Sequence, residues 1–239
     1  MWVDRGGPAY FELPSRSTMG AMLEPETAPR GTMLEPETAP RGTMLEPETA
    51  PRTGRLIVLN GASSSGKSTL AHALQDALDS PFLLVSSDQL IAAGLLPRRR
   101  EPQGPFAWWE QMRPRFFEGF HRCLPALAAA GNDLIVEHVI EFATWRAELA
   151  ELLDGFDVFL VGVHCDPDEL DRREHMRGDR RPGEGRAHVE ENRIHEFGPY
   201  DYETDTTDGV SPDLVARCLD AWRHRTDRAL TPHHSPKTR

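Results

Sequence analysis

Residues Leu56–Thr69 read LIVLNGASSSGKST. An apolar run of strand length, Leu56–Asn60, ends at Gly61, and apolar residues at helical spacing follow over Ser68–Leu78. Between them Gly61-Ala62-Ser63-Ser64-Ser65-Gly66-Lys67-Ser68 fits GxxxxGK[ST], in the strand–loop–helix setting that gives the motif its meaning. The glycines let the backbone turn tightly and approach phosphates. The amides of Ala62–Ser68 then face a concave anion site at the positive end of the helix. ATP and Mg²⁺ are therefore expected at Gly61–Thr69, with Lys67 on the β- and γ-phosphates and Ser68 on the metal. Of the 27 basic residues only Lys67 and Lys237 are lysines. The chain keeps lysine where a compact charge on a thin stem has to thread a loop.

Downstream the pattern alternates. Strands are predicted at Phe82–Ser86, Asp133–Val139, Val158–His164 and Tyr202–Asp205. Helices are predicted within Pro105–Ala130, with Pro114 and Pro125 as breaks or bends, and at Phe142–Leu153, Pro167–Arg177 and Pro212–Arg225. A loop rich in Arg and Gly follows Arg177. Strands apolar on both faces, alternating with helices, predict a parallel sheet covered on both sides. The fold class is α/β: a three-layer P-loop NTPase, kinase-like, with a mostly parallel five-stranded sheet. Ligands in such folds sit at the carboxyl ends of the strands.

The first 54 residues read differently. MLEPETAPR occurs three times, from Met22, Met33 and Met44, and each copy brings two prolines, two glutamates and little apolar surface. That composition does not offset the entropy of ordering, so residues 1–54 are expected to be a disordered tail, with Met44 as an alternative start. The folded domain is expected over 55–228 and a flexible end over 229–239. A net charge of -11 argues against nucleic acid as the main partner. The three cysteines form no CxxC pair, there is no secretory signal, and no apolar run is long enough to cross a membrane. These features predict a reduced, cytoplasmic protein. They leave the oligomeric state open.

Three constellations accompany the loop. Ser86-Ser87-Asp88 ends the second strand. Asp88 is placed either to accept the proton of an attacking hydroxyl or, with the serines, to cap a helix from Gln89. Glu137-His138 ends the third strand; Glu137 suits the metal's shell, and His138 suits either the acceptor pocket or plain packing. In Arg172-Arg173-Glu174-His175-Met176-Arg177-Gly178-Asp179-Arg180-Arg181, Arg173 and Arg177 share a helix face, and Arg177 and Arg180 flank a glycine where a lid would begin. Arginines there can neutralise phosphate charge, whereas Arg172 and Arg181 read as solvated surface. Phe106, Trp108, Trp109, Phe116, Phe117 and Phe120 read mostly as core, with an aromatic acceptor pocket as the alternative.

Together these parts resemble the chloramphenicol phosphotransferases, a branch of the small-molecule P-loop kinases, over roughly Arg55–Arg225. The stretches that carry the resemblance are LIVLNGASSSGKST, VSSDQL, DVFLVGVHCDPDELDRREHMRGDR and HEFGPYDYETDTT. The resemblance implies Asp88 as general base and strengthens Arg173, Arg177 and Arg180 as nucleotide and lid residues. It also implies that His195 through Thr206 return the chain to the sheet edge near the nucleotide. The family's paired aspartates after the third strand are replaced here by Glu137-His138. The expected activity is ATP-dependent phosphorylation of a hydroxyl on a small molecule, chloramphenicol or a related antibiotic among the acceptors. A regulatory ATPase without a small acceptor, and a kinase for another metabolite, are the alternatives.

Overall fold

The computed structural model describes residues 52–96, 108–177, 182–226 and 228–232. Five parallel strands form one sheet in the order β2-β3-β1-β4-β5: β1 Arg55–Gly61, β2 Phe82–Ser86, β3 Asp133–His138, β4 Asp157–His164 and β5 Tyr202–Asp205. β1 lies at the centre, paired with β3 through Val58↔Val136 and with β4 through Val58↔Leu160. Buried on both faces, β1 and β3 show no polar alternation along their middles, which is why they read as continuous apolar runs.

The helices are α1 Lys67–Ala77, α2 Ser87–Ala92, α3 Trp109–Ala129, α4 Ala143–Leu152, α5 Pro167–Arg177, α6 Glu184–Glu190 and α7 Pro212–His224. One core lies under α1 and α7, where Ile57, Leu59, Ile135 and Phe159 meet Leu70, Leu74 and Leu219. The other lies under α3 and α4, where Leu56, Val58, Leu134 and Val136 meet Phe120, Leu124 and Leu149. Odd and even residues of β1 and β3 thus feed opposite layers, as strand alternation requires. Leu230 joins the second core, and the Ala229 N–H donates to Asp201 Oδ1 at 2.6 Å.

Two differences from the sequence expectation have clear causes. α3 runs as one helix through both Pro114 and Pro125. Each proline costs about 3 kcal/mol in a helix interior, and burial of Phe117, Phe120 and Leu124, about 1.5–3 kcal/mol apiece, offsets that. The stretch after Arg177 contains a short helix, α6, where a loop is expected from the sequence. Glu174, buried at the end of α5, accepts the N–H groups of Gly183 and Gly185 at 2.8 and 2.7 Å and so organises the entry to α6. Among the described residues no helix is long and apolar enough to cross a membrane.

Candidate active site

The carboxyl ends of β1, β2 and β3 open on a cavity of about 410 Å³. The loop Gly61–Ser68 forms its floor. Gly66 has φ 87°, a left-handed conformation that favours glycine, and a Cβ at Gly61 would lie 2.4 Å from the Val163 carbonyl oxygen. The loop is braced from behind. The Thr206 hydroxyl, just beyond β5, bonds the Ser65 carbonyl, and His188 Nδ1 on α6 accepts the Ser63 N–H at 3.1 Å. Among the described residues the buried hydroxyls of Ser63, Ser64 and Ser65 have no hydrogen-bond partner. A buried polar group without a partner is costly, and the loop holds three of them at the floor of the cavity.

Lys67 is buried, and its ammonium donates to the Gly61 and Ala62 carbonyls at 2.9 and 2.6 Å. Thr69 faces a second hollow of about 240 Å³ on the far side of the loop, shared with Gly66, Arg173, Arg177 and Thr206. The Ser68 hydroxyl donates to Glu137 Oε2 at 2.6 Å, bringing the tip of β3 to the start of α1. This pair of hard oxygen donors fits Mg²⁺.

The other sequence-derived residues divide. Asp88 lines the cavity from the first turn of α2; Ser86 caps that helix, accepting the Asp88 N–H at 3.2 Å. Ser86 thus serves as the cap, while Asp88 is left on the cavity wall. Arg173 is an anchored residue. Its guanidinium bonds Glu169 Oε1 at 2.7 Å and the carbonyls of Ser64, Thr206 and Thr207 at 3.4, 2.6 and 3.0 Å, tying α5 to the loop and to the end of β5. Arg177 ends α5, exposed, and borders both hollows. Arg180 and Phe106 lie outside the described residues.

The upper wall comes from α3. Trp109 and Phe117 face the cavity, whereas Phe120 is core and Trp108 is exposed. Arg113 lies between them, 2.5 Å from Glu141 Oε2 and stacked over Phe117 and Trp145. His138 completes the wall. Its pKa is pushed well below the ordinary histidine value, chiefly by burial and then by His121, Lys67 and Arg113. Sequence reasoning missed Arg113, Glu141, His121 and His188. The last was invisible because α6 is short and polar and its partner Ser63 is 125 positions away. A larger hollow of about 580 Å³ lies at the opposite ends of β1 and β4, where Arg55 and Arg225 are already paired with Asp133 and Asp157.

With this geometry in view, three comparisons are informative. Two curated Mycobacterium tuberculosis proteins, one from each of two strains and both provisionally named O-phosphotransferases, are 30% identical over 178 residues, 64% of this chain and 76% of theirs. The APS kinase of the same organism, solved with AMPPNP and APS, matches in structure at a TM-score of 0.52 and 20% identity, over 72% of this chain and 99% of its own. A provisionally assigned kinase of Chloroflexus aurantiacus matches at a TM-score of 0.53 and 19% identity, over 74% of this chain and all of its own. These two structural matches show the fold. Residues 54–223 match the family described as chloramphenicol phosphotransferase-like protein. The chain thus belongs to the chloramphenicol phosphotransferase-like family and is a small-molecule phosphotransferase with the P-loop kinase fold.

Proposed function

We propose that the protein moves the γ-phosphoryl group of ATP onto a hydroxyl of a small molecule, with Asp88 as the base, and that chloramphenicol or a related antibiotic is among its acceptors. One observation carries the reading: Asp88 and the Lys67–Ser68 end of the loop share a single cavity, whose other wall is aromatic. The family description supports the antibiotic.

Asp88 accepts the proton of the acceptor hydroxyl as its oxygen forms a bond to the γ-phosphorus. The bond from that phosphorus to the bridging oxygen breaks, and the electron pair leaves on ADP. Lys67 and the loop amides hold the phosphate oxygens, and Arg177 and Arg180 neutralise the charge that develops on them. Ser68 and Glu137 would hold Mg²⁺, which neutralises charge on the β- and γ-oxygens when bound. Arg173 contributes to nucleotide binding by fixing the Ser64 carbonyl and the Thr206–Thr207 turn beside the second hollow. The setting is cytoplasmic.

The test is full-length protein with ATP, Mg²⁺ and a panel of hydroxylated antibiotics and metabolites, read by product mass. Asp88→Asn is expected to lose about 10²–10⁴-fold in transfer while still binding ATP. Full transfer by that variant removes Asp88 as base. ATP hydrolysis with no phosphorylated product across the panel removes the small-molecule acceptor.

A further inference from the structure

β3 alternates, so its last two residues face different layers. Glu137 turns toward α1 and Ser68, and His138 turns toward α3 and α4. His138 is 3% exposed, stacked at 12° on Trp145 with Phe117 and Phe120 also against it, yet it lines the cavity. Its Nε2 lies 3.0 Å from His121 Nε2, and His121 Nδ1 lies 3.2 Å from Glu148 Oε2. Glu148, on α4, is partly exposed, whereas His121 is fully buried.

The order of protons along this chain follows from donor and acceptor inventory. A carboxylate only accepts, so His121 carries its proton on Nδ1. His121 is fully buried and His138 nearly so, and such a setting disfavours a charge on either ring. His121 Nε2 is then a bare lone pair, and the short contact requires His138 to carry its proton on Nε2. Nδ1 of His138 is left as an acceptor on a residue that lines the cavity beside Trp109, Phe117 and the Arg113–Glu141 pair. The charges nearby point the same way. Arg113 is already paired with Glu141, and Lys67 and Arg177, which also line the cavity, are the cations assigned above to the phosphates, so none of the described cations is left over for an anionic acceptor.

The geometry points to His138 as a specificity-determining residue, held by Glu148 and His121 as a hydrogen-bond acceptor that selects an uncharged alcohol carrying a second hydrogen-bond donor beside the hydroxyl that takes the phosphate. This rests on the reading of the cavity given above. His121 and Glu148 are positioning residues, since they act only through His138.

Two probes differ by the one hydroxyl at issue: styrene glycol and phenethyl alcohol. Nitrogen NMR of full-length protein with isotope-labelled histidine should place the His138 proton on Nε2, with assignment by loss of its signals in His138→Phe. Styrene glycol should move the Nδ1 signal and phenethyl alcohol should not. The wild type should prefer the glycol about tenfold in kcat/KM, through the KM of the alcohol and not that of ATP. His138→Phe should erase the preference. Glu148→Gln, whose carbonyl still accepts from His121, should keep the proton order. Glu148→Leu should let it reverse, placing the His138 proton on Nδ1 and abolishing the glycol response. A wild-type His138 protonated on Nδ1, or a Nδ1 signal that fails to distinguish the two alcohols, overturns the inference. A glycol-specific shift with neither alcohol phosphorylated supports it and counts against the kinase reading of the cavity alone.

Discussion

Lys67 Nζ bonds the two carbonyls at which β1 turns into the loop. The ammonium fits because it is small and its three protons point freely; a planar guanidinium matches neither the buried space nor the two acceptors. Lys67→Arg is therefore expected to lose at least about 10²-fold in steady-state turnover although charge is conserved. Turnover within a few-fold of wild type would show that charge alone suffices. Arg173 is the converse case. Its fork joins one carboxylate and three carbonyls, so Arg173→Lys should weaken ATP binding and cost about 1–3 kcal/mol of stability, measured by calorimetric titration and by denaturant melts.

At the scale of elements, α3 pays the backbone penalty of two prolines for an unbroken apolar stripe. Pro114 is exposed, so its ring contributes little packing. Pro114→Ala should raise stability by about 1–2 kcal/mol, after the extra freedom gained by the unfolded chain is discounted, and a thermal melt reads it directly. The same helix shows what the sequence conceals. β1, β3 and β4 are legible because strands buried on both faces read as apolar runs, and the loop is legible because phosphate binding demands glycine and lysine at set positions. α6 is seven residues long, and tertiary bonds rather than periodicity hold it: Glu174 onto Gly183 and Gly185, and Arg186 onto Asp168 and Asp171. The His121–His138 contact is hidden for the same reason, since its two residues lie on a helix and a strand with separate periods.

Over the whole molecule, buried neutral histidines make stability depend on acidity. Burial, with His164 and Lys67 nearby, lowers His195 from 6.5 to about 4, and its ring packs 4.0 Å from that of His164. A histidine depressed in the folded state binds its proton more readily once unfolded, so stability falls as pH drops from about 6.5 toward about 4. His138 acts in the same direction. Partial exposure of His195 moderates its effect, and about 1 kcal/mol of destabilisation from that residue is expected between about pH 7 and about pH 5. Urea melts at the two pH values measure it, and His195→Leu should flatten the difference. An equal slope in that variant places the acid sensitivity elsewhere.

The alternation at the end of β3 has an evolutionary consequence. One step along the chain separates Glu137, which belongs with the loop and α1, from His138, which belongs with α3 and α4. Drift in the two covering helices can retune which alcohol is taken while the layer that delivers the phosphate stays untouched. A gene under pressure from a new toxin or metabolite would then need changes in one layer only, so on the proposed reading diversification of acceptors and preservation of phosphate chemistry are inherited as separable traits.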